Sequence, residues 1–286
     1  MPAVVFKDFS YAYKGSTKAL DSINLTIPKG SFTAVVGPSG AGKTTFCLAI
    51  AGVVPHYYGG SLAGQVIGDG QNTLDSSMCA LSSRVGTVLE DYESQLVTMT
   101  VAEEVAFSLE NAGLPRAEIA KRVEQVLALV GLRGLEQAEV ATLSGGQKQR
   151  LIIAAVLATE PAILVLDEPA SALDPEGADE LYALLGNLNK QGITIIVVEH
   201  DLARIMPYAQ QMVLLNQGKL VIADRPAQVL THMWQHDIFS ASIPPLWQLR
   251  LRLRQAGFEL EEWLTDEEAM GELQKLISKK EVCRSA

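Results

Sequence analysis

Gly37-Pro38-Ser39-Gly40-Ala41-Gly42-Lys43-Thr44-Thr45 decides how the rest of this chain is read. It has the form G-x-x-x-x-G-K-[ST], the phosphate-binding P-loop pattern. Residues 32–36, Phe-Thr-Ala-Val-Val, lead into it as a buried strand, and residues 44–51 lead out as a helix. In that setting the backbone amides turn inward onto the β- and γ-phosphates of a nucleoside triphosphate, helped by the positive end of the helix. The nine residues Gly37 to Thr45 are therefore expected to cradle the phosphates. Lys43 would reach the β/γ oxygens and the Thr44 hydroxyl would ligate Mg2+. The glycines are expected because side chains would block the approach of phosphate to the backbone.

The bulk properties narrow the setting. A chain of 286 residues has room for one large or two modest domains. Hydrophobic residues make up 48% and charged residues 20%, which indicates a folded rather than a disordered chain. The net charge of -10 argues against a nucleic-acid surface and against direct adhesion to an anionic membrane. Three cysteines without metal-like spacing predict a reducing compartment and no disulfide framework. Cys47, inside the P-loop helix, reads as a small buried hydrophobe. The N-terminal residues lack the pattern of a signal peptide, and the longest apolar runs, 162–166 and 193–198, are far shorter than the ~18 residues a spanning helix needs. The expectation is a protein soluble by itself that meets a membrane only through protein partners, with no direct lipid anchor.

Residues 4–13 and 20–27 alternate as antiparallel strands around a turn at 14–17. Further strands are predicted near 64–67, 84–89, 162–166, 194–198, 212–215 and 220–223. From Thr100 the pattern becomes helical: Thr100 and Glu103 form a capping box, and Pro115 opens a helix with Ile119, Val123, Val126, Leu127 and Val130 on its apolar face. Strands alternating with helices predict an α/β fold with a mostly parallel core sheet, an antiparallel β-subdomain and a helical subdomain inserted at about 95–160. The expected division is a nucleotide-binding domain over 1–225 and a C-terminal helical extension over 226–286, with Leu246, Leu249, Leu253 and Leu260 available for packing.

Two carboxylates, Asp167 and Glu168, end the apolar strand Ile163-Leu164-Val165-Leu166. A buried strand delivers its C-terminal residues to the mouth of an open α/β sheet, where ligands bind. Asp167 is expected to hold Mg2+ through water, and Glu168 to polarise the water that attacks the γ-phosphate.

Leu143-Ser144-Gly145-Gly146-Gln147 starts another helix with a serine and two glycines, an anion-binding nest without a P-loop lysine. With these motifs in this order, residues from about 4 to about 226 resemble the ATPases of ABC transporters, a P-loop NTPase fold. The resemblance implies ATP and Mg2+ as cofactors and head-to-tail pairing of two ATPase chains. One chain's P-loop and the other's Ser144-Gly145-Gly146-Gln147 signature would then grip each ATP. It further implies that Tyr11 stacks on adenine, that Ser171–Asp174 crosses to the partner's site, and that His200 contacts the γ-phosphate. One position departs from the family: Glu90 stands where a glutamine usually reaches Mg2+ and the attacking water. The carboxylate can still hold the metal but adds a charge beside the γ-phosphate; the alternative is that the nearby Gln95 occupies that position.

Within the family, Glu93–Val97, residues 100–111, Pro55-His56 and the tail from Ile243-Pro244-Pro245 to Thr265–Glu268 resemble the energy-coupling factor ATPases, the motors of bacterial vitamin, cobalt and nickel importers. That branch implies a translocase-class ATPase at the cytoplasmic face of a bacterial membrane. Its partners would be a second ATPase, identical or paralogous, a transmembrane coupling protein and a substrate-binding membrane protein, with no nucleic acid. The tail would help join the two ATPases. The alternatives are the ATPase of a conventional importer or exporter, a non-transport soluble ABC protein, and a regulatory clamp that binds ATP without turnover.

Overall fold

The computed structural model describes residues 2–263 and 265–284. Residue 1 of the expected nucleotide-binding domain and residues 264, 285 and 286 of the expected extension lie outside them. The strands are β1 (Pro2–Ala12), β2 (Lys18–Pro28), β3 (Phe32–Val36), β4 (Ser61–Gly68), β5 (Gln71–Asn72), β6 (Val85–Val88), β7 (Ile163–Asp167), β8 (Thr194–Val198), β9 (Gln211–Asn216) and β10 (Lys219–Asp224). The helices are α1 (Lys43–Ile50), α2 (Val53–His56), α3 (Met78–Ser82), α4 (Val101–Asn111), α5 (Arg116–Leu129), α6 (Gly145–Leu157), α7 (Pro175–Lys190), α8 (Leu202–Ile205), α9 (Pro226–His236), α10 (Pro245–Gln255) and α11 (Asp266–Arg284).

The core sheet has the order β10-β9-β3-β8-β7-β6, parallel from β9 through β6, with β10 antiparallel to β9. Every residue of β3, β7 and β8 is buried, as a parallel sheet covered on both faces requires. Side chains alternate between the two covers. Phe32, Ala34, Leu164, Leu166, Ile195 and Val197 join the core beneath α4–α7, while Val35, Val165, Ile196 and Val198 join Phe46 and Ile50 of α1 and the second sheet. At roughly 1.5–3 kcal/mol per buried aliphatic side chain, these strands hold the sheet far more firmly than any surface ion pair could. The second sheet, β2-β1-β4-β5, is antiparallel.

Local chemistry sets the helix ends. Thr100 and Glu103 form the capping box of α4, and Ser144 with Gln147 forms another at the start of α6. Asp174 caps α7, its Oδ1 accepting from the Gly177 amide at 2.8 Å, with Pro175 at the first helical position. The buried side of α5 is Ile119, Val123, Val126 and Leu127.

Of the tail leucines expected to pack, Leu246 and Leu260 lie partly buried against the main core. Leu249 is 39% exposed, whereas Trp247, Leu251, Trp263 and Ala269 enter the main core. The organising residue is Arg250, only 1% exposed. Its guanidinium lies 4.7 Å from the Trp247 ring centroid and 5.8 Å from that of Trp263, and its Nε donates to the Glu261 carbonyl at 2.7 Å. Burial lowers its pKa, yet the two indole faces and the carbonyl let a cation sit inside.

Candidate functional site

Four parallel strands end at one edge of the sheet, and each contributes to a single cleft. The P-loop follows β3, Glu199 and His200 follow β8, Asp167 and Glu168 close β7, and Glu90 follows β6. The cleft, of about 480 Å3, is lined by Ser39, Gly40, Gly42, Lys43, Thr44, Thr45, Glu90, Glu168 and His200, with Ala19 at its rim.

Within the P-loop, the glycine requirement has a source the sequence did not reveal. A Cβ at Gly37 (φ +151°) would lie 2.1 Å from the Leu215 carbonyl oxygen, and one at Gly42 (φ +99°) would lie 2.5 Å from that of Ala19. At these two positions the chain's own strands exclude a side chain, whereas Gly40 faces open space. Lys43 is folded back onto the loop, its Nζ donating to the Gly37 and Pro38 carbonyls at 3.0 and 3.2 Å. Burial pulls the Lys43 pKa down, and the carboxylates of Glu168, Asp167 and Glu90 push it up. Cys47 is fully buried and its thiol pKa is pushed well up, which makes it inert.

Asp167 is buried close to Thr44, with its Oδ2 lacking any hydrogen-bond partner. Burial raises its pKa most; Thr44 lowers it, Glu168 and Glu90 raise it, and Lys43 lowers it. A buried, half-satisfied carboxylate beside a hydroxyl fits a hydrated divalent cation. Among the described residues no three His, Cys, Asp or Glu side chains cluster as a metal site, so such an ion would also need the nucleotide's oxygens. Glu168 takes a left-handed backbone (φ +51°), and its Oε1 lies 2.7 Å from His200 Nε2.

Gln95 does not reach this cleft. Its Oε1 accepts from the Leu89 amide at 2.9 Å and its Nε2 donates to the Thr87 carbonyl at 3.2 Å, so it clamps the end of β6 while Glu90 lines the cleft. Tyr11 requires a correction. Its ring is 0% exposed and its hydroxyl donates to the Gly59 carbonyl at 2.5 Å, so it has no free face for a base. The half-buried aromatic beside the P-loop is Tyr13, whose hydroxyl sits 3.2 Å from Thr45 Oγ1. Sequence reasoning also missed Glu104, a buried carboxylate whose Oε2 accepts from the Val97 and Thr98 amides and the Thr98 hydroxyl at 2.8–3.0 Å. Only its place in the first turn of a capped helix hinted at it.

Ser144, Gly145, Gly146 and Gln147 are not in the P-loop cleft. They line a separate one, of about 450 Å3, with Ala172, Leu173 and Asp174, and no residue lines both. Gly146 abuts Leu173, whose Cδ2 would lie 3.1 Å from an added Cβ.

Residues 20–171 match the family model described as ABC transporter. The chain belongs to the ABC transporter family. A Pyrococcus abyssi protein bearing only a provisional ABC transporter ATP-binding name is 40% identical over 97% of this chain and 100% of its own. The energy-coupling factor transporter ATP-binding protein EcfA of Methanothermobacter thermautotrophicus is 38% identical over 96% of this chain and 87% of its own. Among solved structures, cbiO1 of Clostridium perfringens, described as part of the ABC transporter complex cbiONQ, has a TM-score of 0.73 and 32% identity, covering 90% of this chain and 97% of that one. A dimeric ATP-binding cassette in a post-hydrolysis state with ADP and Pi has a TM-score of 0.67 and 28% identity, covering 78% and 98%. This ABC ATPase is thus an ATP-binding, ATP-hydrolysing transporter subunit with the P-loop α/β fold of its family. Among its described residues no helix is long and apolar enough to cross a membrane.

Proposed function

We propose that this ABC ATPase energises a membrane importer of the energy-coupling factor type, taking up a vitamin or a transition-metal ion. The observation that carries the reading is the separation of the two phosphate-binding elements: one chain has a P-loop cleft and a signature cleft with no residue in common. A dimer would close ATP between the P-loop of one chain and the signature of the other, and the dimeric cassette with ADP and Pi supports that arrangement. ATP would favour the closed dimer by binding it better than the open one, and hydrolysis would release it. The branch assignment draws on the likeness to EcfA and cbiO1, which extends through the C-terminal tail and beyond the ATPase core.

In this reading Gly37–Thr45 holds the phosphates, with Lys43 moving off its carbonyls onto them, and Tyr13 replaces Tyr11 under the base. Thr44, Asp167 and Glu90 would hold Mg2+, which supplies charge neutralisation at the phosphates. Glu168 takes the proton of the attacking water, and His200, hydrogen-bonded to it, faces the γ-phosphate. Val97 and Met99, 63% and 81% exposed on the loop that Glu104 ties down, offer an apolar surface to a transmembrane subunit. The chain would work at the cytoplasmic face of the membrane. Its 226–286 segment, beginning at α9 on β9 and β10, would help join the two ATPases.

Glu90→Gln is expected to retain ATP hydrolysis and shift its Mg2+ optimum, because a carboxylate beside the γ-phosphate is replaced by a neutral amide. An unchanged rate and an unchanged Mg2+ optimum would remove Glu90 from the metal site. For the importer itself, the test is isolation of the tagged full chain from native membranes. A second ATPase, a coupling protein and a small substrate-binding membrane protein are expected; a pair of large, identical membrane subunits alone would point instead to a conventional ABC transporter.

A further inference from the structure

Behind the exposed ring of His200 lies a buried polar pair that nucleotide chemistry does not touch. Glu199, the residue after β8, is 7% exposed. Its Oε1 accepts from the Tyr182 hydroxyl at 2.9 Å, and its Oε2 accepts from the His200 backbone amide at 2.9 Å. Tyr182 is wholly buried on α7, its ring stacked on Tyr208 with centroids 6.0 Å apart. From the same residue, His200 Nε2 lies 2.7 Å from Glu168 Oε1. A continuous set of hydrogen bonds thus runs from the middle of α7 to the carboxylate at the end of β7.

A carboxylate is an expensive choice for this place. Burial raises the Glu199 pKa first, the two hydrogen bonds lower it, and Asp201 and Glu168 raise it again. Among the described residues Glu199 forms no ion pair; its partners are the Tyr182 hydroxyl and the His200 amide. An ionised carboxylate can only accept, so it fixes the direction of both hydrogen bonds: the tyrosine and the histidine amide must donate to it. The His200 backbone, just past the last sheet residue, is therefore held by its neighbour's side chain rather than by a strand. With its amide fixed, the imidazole has only its own torsions with which to leave Glu168. Asp174, which caps α7, lies eight residues before Tyr182, about 12 Å along a helix, so the anchor belongs to a rigid element.

We propose that Glu199 and Tyr182 are positioning residues for ATP hydrolysis: the Tyr182 hydroxyl orients the Glu199 carboxylate, which holds the His200 amide so that the imidazole stays against Glu168. This rests on the roles given above to Glu168 and His200.

The test uses the full chain and measures kcat, the ATP KM, thermal unfolding, and the 15N resonances of the His200 ring. Tyr182→Phe keeps the buried ring and is expected to lower kcat by about fivefold, the worth of one hydrogen bond, with KM unchanged. Glu199→Ala is expected to lower kcat by roughly 30- to 100-fold and to shift the His200 resonances. Glu199→Gln, which still accepts from the His200 amide, should recover most of that loss. The inference is overturned if Glu199→Ala keeps kcat within about twofold of the parent, or if Glu199→Gln fares no better than Glu199→Ala in a folded protein. It is also overturned if kcat falls only in step with lost folding. His200→Ala separates this from the wider reading. Full activity in that variant sinks the histidine's role itself, whereas an inactive His200→Ala beside an active Glu199→Ala sinks only the positioning inference.

Discussion

Glu168→Gln is expected to lower steady-state ATPase activity by about 10^2- to 10^4-fold while ATP binding persists, and to trap an ATP-bound dimer. The substitution preserves size and a hydrogen-bonding oxygen, so the 2.7 Å contact with His200 can survive. What it removes is the cleft carboxylate assigned to take a proton from water, a role Asp167 is too buried to share. The Glu168 backbone is also fixed, its amide donating to the Val198 carbonyl at 3.1 Å, so the side chain cannot easily be replaced by a neighbour moving in. Holding a non-glycine residue at φ +51° costs about 1–2 kcal/mol, a strain that the surrounding sheet tolerates. Gel filtration with ATP, followed by measurement of retained nucleotide, reads both parts. A variant that stays monomeric with ATP, or that turns over at the parent rate, would contradict the assignment.

Gly37→Ala is expected to be the most damaging single methyl in the P-loop. The new Cβ would sit 2.1 Å from the Leu215 carbonyl oxygen, well inside van der Waals contact. Leu215 cannot retreat, because it lies in β9, which pairs in parallel with β3 on the strand that feeds the loop. The P-loop must therefore move instead, and its amides lose their common focus. The expected cost is about 3 kcal/mol or more in stability, with ATP affinity lowered by over ~100-fold. Gly40→Ala is the matched control: it too has a positive φ, but nothing lies within 4 Å, so only about 1 kcal/mol of backbone strain is expected. Thermal unfolding with and without Mg·ATP distinguishes them. If Gly37→Ala gained as much stability from nucleotide as the parent, the Leu215 contact would not matter for binding.

Much of this ABC ATPase was legible from local pattern. The P-loop, the carboxylates ending β7, the capped starts of α4 and α6, and the buried side of α5 are all set by residues a few positions apart, and the structure places them where that pattern puts them. Consecutive apolar runs are enough to identify strands covered on both faces, and β3, β7 and β8 are such strands.

Tyr11 and Tyr13 show where local pattern stops. They are two apart in the strand expected over 4–13, so period-two alternation puts both on the same face and cannot choose between them, whereas β1 itself ends at Ala12. The loop at Gly59-Gly60, 48 residues away, closes over Tyr11 and leaves Tyr13 beside Thr45. The tail makes the same point with charge. An amphipathic reading favours its leucines, but Arg250 enters the interior with Trp247, Leu251 and Trp263, because two indoles and the Glu261 carbonyl receive it. The nucleotide chemistry and the parallel sheet that presents it follow from short-range spacing along the chain. Which tyrosine is free, why Gly37 must lack a side chain, and the opening of signature and P-loop into different clefts follow only from long-range packing. Each depends on surfaces brought together from remote parts of the chain.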